Sequence, residues 1–211
     1  MTKERDEENV RARTKAVIFD LGGVLVEVDS EKALRELRRH RRAERFTPDL
    51  AGLQSLVCAF ESGELATQAF YEAVCGHEKL TVGLAPFCEA YCNIFSPAED
   101  MIAMHAALSR AGFPTYILSN TSELHFSYIR ERYPFIAAFD RYFLSYQLGY
   151  MKPDPRACAA VEDAIGCRGN EIVYIDDREE NVAAAVNRGW LAIHHMNPAL
   201  TAAALRKLEL L

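Results

Sequence analysis

The sequence predicts an α/β fold, a doubly wound parallel sheet interrupted by an inserted all-helical block, and three observations carry that prediction. Short apolar runs rich in strand formers end repeatedly in polar residues that carry chemistry. Strand-like and helix-like patterns alternate through the second half, as in doubly wound sheets. Between residues 30 and 95 helical periodicity prevails and no convincing strand occurs.

The chain is organised around residues 15–29, KAVIFDLGGVLVEVD. Ala16, Val17, Ile18 and Phe19 form an unbroken apolar run, which suits a central parallel strand covered on both faces. The run delivers Asp20 to the strand's carboxyl end, the rim on which open α/β sheets bind their ligands. Gly22 and Gly23 then let the backbone turn sharply and approach a ligand closely. Taken alone, an aspartate before two glycines is equally an ordinary turn.

Residues 1–14 alternate acids and bases without apolar periodicity and read as a flexible tail or a solvated helical extension. Ser30 is placed to cap a helix through Leu34 and Leu37, with the basic run from Arg38 to Arg42 on a solvated face. Pro48 opens a second helix, carrying Leu50, Leu53, Leu56, Val57 and Phe60 and ending at Ser62 and Gly63. Residues 68–74 make another, closed by Gly76, and a further helix runs from Ala85 to Phe95. Such a block reads as an insertion over residues 30–95 that packs into its own small bundle above the strand ends. Residues 15–29 and 96–211 are left to build the sheet domain.

The segment Ser96-Pro97-Ala98-Glu99 has the composition of a helix start, and that helix stops at Gly112. Residues 115–118 are a second strand, ending in Ser119, Asn120 and Thr121. Residues 141–145 are a third, followed by a loop that presents Lys152 before Asp154 caps, and Pro155 opens, the next helix. Residues 172–175 form a fourth strand, which ends in Asp176 and Asp177, and residues 190–194 form the last.

A chain of 211 residues with 50% hydrophobic content buries a full core and has length for a small second unit. Its net charge of −6 argues against a general affinity for nucleic acid or for an anionic membrane. The six cysteines form no C-x-x-C pair and no metal-type spacing with histidine, so most of them read as reduced packing residues. With no signal-peptide pattern and no apolar run long enough to span a bilayer, the expectation is a cytoplasmic protein.

The strand ends bring together Asp20, Ser119, Asn120, Asp176 and Asp177, with Lys152 in a nearby loop. Adjacent carboxylates repel unless a cation joins them, so the three aspartates make an all-oxygen site suited to Mg²⁺. No histidine stands at these ends, which argues against zinc. Lys152, Ser119 and Asn120 complement an anion sharing that ion, for which phosphate is the natural candidate.

This set resembles the haloacid dehalogenase superfamily of phosphohydrolases, from residue 15 to about residue 194. FDLGG resembles the first family motif, LSN the second, the lysine of GYMKPDP the third and IDDREEN the fourth, in family order. The helical insertion is similar to the family's small cap. Within the superfamily the pattern most resembles bacterial glucose-1-phosphate phosphatases and the phosphatase domain of soluble epoxide hydrolase. The resemblance implies a Mg²⁺-dependent phosphatase of small phosphorylated metabolites such as sugar phosphates. It makes Asp20 the nucleophile that forms an aspartyl-phosphate. The resemblance also implies that Gly22, through its carbonyl, and Asp177 bind Mg²⁺ with Asp20, while Asp176 orients the metal's waters or Lys152. Ser119, Asn120 and Lys152 hold the phosphoryl oxygens.

One position departs from the family pattern. Many members carry an acid/base aspartate two residues after the nucleophile, where this chain has Gly22. A positioned acid typically contributes about a hundred- to ten-thousand-fold in rate, so ordinary alkyl phosphates are expected to turn over slowly. Glu27, Asp29 or a residue of the helical block are all candidates to replace it. Two further readings are a phospho-ligand-binding regulatory protein without turnover and a 2-haloacid dehalogenase, the latter disfavoured because Asp176 and Asp177 repel its anionic substrate.

Overall fold

The computed structural model describes residues 10–42 and 49–211. The described chain begins with a helical turn, α1 (Val10–Arg13), followed by β1 (Ala16–Phe19) and β2 (Val26–Val28). Helices α2 (Ser30–Arg38), α3 (Leu50–Glu61), α4 (Thr67–Glu78) and α5 (Leu84–Cys92) come next, then β3 (Phe95–Pro97) and α6 (Glu99–Arg110). The remainder alternates: β4 (Thr115–Ser119), α7 (Glu123–Arg132), β5 (Arg141–Leu144), α8 (Ser145–Leu148), α9 (Pro155–Ile165), β6 (Ile172–Asp176), α10 (Glu179–Asn187), β7 (Leu191–His194) and α11 (Pro198–Lys207).

Five strands pair in parallel in the order β5-β4-β1-β6-β7, so the strand carrying Asp20 is central. Its side chains alternate between two apolar layers. Val17 and Phe19 pack with Met101, Leu108, Phe126 and Leu205, from α6, α7 and α11. Ala16 and Ile18 pack on the other face with Cys158, Val161 and Ala185, from α9 and α10. Burial on both faces explains why the run shows no polar alternation.

Helices α2 to α5 enclose a separate apolar cluster of Leu37, Phe60, Phe70, Val74 and Phe87. The two chain passages into this block are tied together. Strands β2 and β3 pair antiparallel, with Val26 opposite Pro97 and Val28 opposite Phe95. The ribbon is extended by Asp29 N donating to Ile94 O at 2.9 Å and Ala98 N donating to Leu25 O at 3.0 Å.

This ribbon overturns one expected helix start. Ser96 and Pro97 lie in β3, and α6 begins after Ala98 without any side-chain cap, because pairing with residues 26–28 outweighs the local capping signal. The helix expected to reach Phe95 ends at Cys92 for the same reason. Asp29, not Ser30, caps α2, its carboxylate accepting from Lys32 N at 3.0 Å. Gly76 does not close α4, which runs on to Glu78 because Val74 and Glu78 are buried on one face. Lys79, in the left-handed region at φ 55°, closes it instead.

The basic run is not wholly solvated, since Arg41 forms a partly buried ion pair with Glu78. Pro48 lies outside the described residues, as do residues 1–9 of the expected tail. Residues 10–13 of that tail form a helical turn whose Arg11 guanidinium lies 5.3 Å from the Phe113 ring centre. All six cysteines are free thiols, and no helix among the described residues is long and apolar enough to cross a membrane.

Candidate active site

Register alone brings the first pair of site residues together. Phe19 pairs with Ile175 in the parallel ladder, and Asp20 N donates to Ile175 O at 2.8 Å, so Asp20 and Asp176 leave adjacent strands side by side. Asp177 follows, and carboxylate oxygens of Asp20, Asp176 and Asp177 all lie within 4.8 Å of one another. Lys152 enters from the loop after α8. Its ammonium is 2.9 Å from Asp20 Oδ1, 2.7 Å from Asp176 Oδ2 and 2.9 Å from Leu118 O.

Asp20 and Asp176 respond differently to this environment. Burial pushes Asp20 up to about 7, against the lowering influence of Lys152 and with a further raise from Asp176. Burial acts on Asp176 in the same direction, but it is outweighed by Lys152 and several donors, which hold the carboxyl below its ordinary range. Those donors are the Tyr174 hydroxyl, Arg178 N at 2.8 Å and Asn181 Nδ2 at 3.0 Å. Asp176 is thus occupied on both oxygens as an anchor. Burial, followed by the charge of Asp176, raises Asp177.

Asn120 is used differently from the sequence expectation. Its Nδ2 donates to Lys152 O at 2.8 Å and its Oδ1 accepts from Lys152 N at 2.7 Å. The side chain clamps the main chain that carries the lysine. Ser119, 3% exposed at the end of β4, has no such commitment beyond a 3.5 Å contact with Asn120 O.

The two glycines have separate reasons. Gly23 has φ +72°, and a Cβ there would lie 2.4 Å from an Asp177 carboxylate oxygen, so only glycine lets Asp177 approach this turn. A Cβ at Gly22 would stand 3.3 Å from Val28 Cγ2, a tight contact that the Val28 side chain would have to relieve.

Above the strand ends lies a cavity of about 490 Å³ whose floor includes Leu21, Gly22, Ser119, Asn120 and Thr121 and whose walls come largely from α2 to α5. Glu61, the last residue of α3, lines it. Its main-chain oxygen accepts from Ser145 Oγ at 2.6 Å, pinning the end of α3 to the sheet. Burial, and then the charge of Asp20, push the Glu61 carboxyl up to about 7. Of the alternatives left open by sequence, Asp29 is engaged in capping α2 and in a pair with Arg35, and Glu27 is exposed on β2.

Tyr91 also lines the cavity, and its buried hydroxyl has no hydrogen-bond partner among the described residues. Phe60 and Phe87 are instead core, and the Tyr71 hydroxyl donates to Val82 O at 2.7 Å. His125 reaches the cavity wall, stacked on Tyr91 with ring centres 4.3 Å apart. Burial lowers its imidazole to about 4.

The donor set fits a hard divalent cation. Three carboxylates face a single ammonium, every available ligand is oxygen, and the excess negative charge is what burial penalises at Asp20.

The chain is 25% identical over 83% of its length to D-ribitol-5-phosphate phosphatase of Bacteroides thetaiotaomicron, covering 89% of that protein. It is 27% identical over 92% of its length to a sesquiterpene phosphatase of Aspergillus oryzae, covering 96% of it. A haloacid dehalogenase family enzyme of B. thetaiotaomicron, solved with magnesium and inorganic phosphate, has the same fold, with TM-score 0.71 and 22% identity over 85% of this chain and 93% of that one. The model of the haloacid dehalogenase-like hydrolases matches residues 14–189, a span that holds the three aspartates, Lys152 and the whole helical block, and the chain belongs to that family.

Proposed function

We propose that the protein is a Mg²⁺-dependent phosphatase of small organic phosphate monoesters that works through an aspartyl-phosphate on Asp20. The observation that carries this reading is the convergence of Asp20, Asp176 and Asp177 with Lys152, Asp20 being followed in sequence by Leu21 and Gly22, which line a cavity together with Ser119. Asp20, Asp177 and the Gly22 carbonyl would hold Mg²⁺, which when bound draws charge from the phosphoryl oxygens and lowers the repulsion between nucleophile and substrate.

The chain's own residues do the rest. Asp20 attacks phosphorus, forming an oxygen–phosphorus bond as the bond to the leaving oxygen breaks. Lys152 and the Ser119 hydroxyl face the phosphoryl oxygens as charge gathers there. Asp176 and Asn120 hold Lys152, the first through its ammonium and the second through its main chain. Glu61 takes the place of the acid missing at Gly22: it gives a proton to the leaving oxygen and then accepts one from the water that hydrolyses the aspartyl-phosphate. Its elevation to about 7 suits a group that must do both near neutrality. Helices α2 to α5, within residues 30–95, act as a cap on a core of residues 15–29 and 96–211, with the β2–β3 ribbon as the connection on which the cap moves.

Relatives named for a polyol phosphate and for a sesquiterpene carry leaving groups of opposite polarity, so membership of the family leaves that choice open. The test is phosphate release from acetyl phosphate and p-nitrophenyl phosphate with and without Mg²⁺. Release that requires Mg²⁺ and disappears in Asp20→Asn supports the reading. Metal-dependent binding without release above that control favours a regulatory binding protein.

A further inference from the structure

The cavity above the strand ends is walled mainly by apolar side chains. From the floor at Ser119 and Gly22 its walls rise through Leu34, Leu37, Leu53, Val57, Phe70 and Val74, and apolar side chains outnumber the polar ones on these walls, among which are Tyr91 and Glu61. Of the acidic groups on the walls, Glu78 is already paired with Arg41. Gln54 and Arg38 are exposed side chains at the margins. Val28 and Leu50, 46% and 64% exposed, are large apolar residues left open to solvent, and both line this cavity. A polyol here would give up most of its hydration for few partners, chiefly the Tyr91 hydroxyl and Glu61, whereas a hydrocarbon would cover apolar surface.

We infer that this site takes phosphate monoesters with an extended hydrocarbon group, the phosphate on the floor by Ser119 and the chain running up between α2, α3 and α4. The inference rests on the phosphatase reading of the floor and adds the substrate class. A volume of about 490 Å³ lies within the range of pockets that enclose drug-sized ligands. At roughly 30 Å³ for each water-sized group, it holds the phosphate and about ten carbons. Each methylene added within that length is worth up to about fourfold in affinity or in kcat/KM.

The test uses the full chain and a series of n-alkyl monophosphates from ethyl to dodecyl, kept below their aggregation concentrations, with Mg²⁺. Two- to fourfold gains in kcat/KM per methylene are expected up to about ten carbons, followed by a plateau, with decyl phosphate at least about a hundredfold above ribitol 5-phosphate and glucose 1-phosphate. Binding of ethyl and decyl phosphate to Asp20→Asn with Mg²⁺, read by calorimetry, follows the same order whether or not turnover occurs. Val57→Trp, which fills part of the shaft, moves the plateau to shorter chains, a change that loss of fold would not produce. Equal affinity for ethyl and decyl phosphate, or faster turnover of the sugar phosphates, overturns the inference while leaving the phosphatase reading intact. Absence of acetyl phosphate hydrolysis overturns the phosphatase reading, and the calorimetric comparison still decides the hydrocarbon inference.

Discussion

The ammonium of Lys152 lies 2.9 Å from Asp20 and 2.7 Å from Asp176, so one positive charge serves two buried carboxylates. This shared contact sets the electrostatics of the site. It holds Asp176 ionised and leaves Asp20 short of compensation, with its carboxyl at about 7.

Replacing Lys152 by methionine strands both carboxylates. Breaking a buried pair by removing one partner typically costs about 3–5 kcal/mol. Lys152→Met is expected to lower the urea midpoint accordingly and to reduce kcat by at least about a hundredfold. Mg²⁺ should recover more stability in the variant than in the wild type, because the ion then supplies the missing charge. Equal stabilisation of both proteins would contradict the shared-charge account.

Gly23→Ala tests the turn. Its φ of +72° disfavours alanine, and the added Cβ meets the Asp177 carboxylate at 2.4 Å. Stability should fall by about 1–3 kcal/mol. The apparent Mg²⁺ affinity, from a titration of activity or of unfolding temperature, should fall more than tenfold. Unchanged metal dependence would mean that Asp177 does not hold the ion.

Glu61→Gln tests proton delivery. The acid must be protonated to serve an alkyl leaving group, so wild-type kcat on such substrates should decline as pH rises through about 7. The variant should lose that limb and about a hundred- to ten-thousand-fold in kcat. Acetyl phosphate, whose leaving carboxylate needs no proton, should phosphorylate the variant in a single turnover within a few-fold of the wild-type rate. An unchanged pH limb would remove Glu61 from the mechanism.

Two buried histidines predict sensitivity to acid. Burial lowers His105 and His125 to about 4, from an ordinary value of 6.5. Since the folded value lies below the unfolded one, their contribution is complete above pH 6.5 and is lost as pH falls through 4. Each is worth up to roughly 3 kcal/mol across that window. His105→Phe, which gives up the 3.0 Å contact with Thr115 Oγ1 but keeps an aromatic ring against Phe139, should show a flatter urea midpoint between pH 7 and pH 4.5. A wild-type midpoint that did not fall over this range would refute the assignment.

The five-stranded sheet and the strand-end residues were legible in the sequence because a buried parallel strand is a continuous apolar run and its carboxyl end is the binding rim. Asp20, Ser119, Asp176 and Asp177 could be found by that rule alone. Asn120 was visible as a polar group in the right place, but its use as a clamp depends on a loop brought back beside β4 by the fold. Glu61 carries no local signal: it sits in a helix like any surface glutamate, and it is the folded chain, with the end of α3 held to Ser145, that buries it where the charge of Asp20 acts on it. The β2–β3 ribbon is not legible in the sequence because three-residue strands leave no periodicity, and the capping sequence at Ser96 points to a helix start instead.

The central claim is tested most directly by mixing the protein with Mg²⁺ and a phosphate monoester labelled on phosphorus, quenching with acid within one turnover and mapping the label. The account predicts label on the peptide containing Asp20, formed and lost at rates compatible with kcat and absent in Asp20→Asn. Phosphate release at full rate with no labelled Asp20, or equal release by Asp20→Asn, would contradict it.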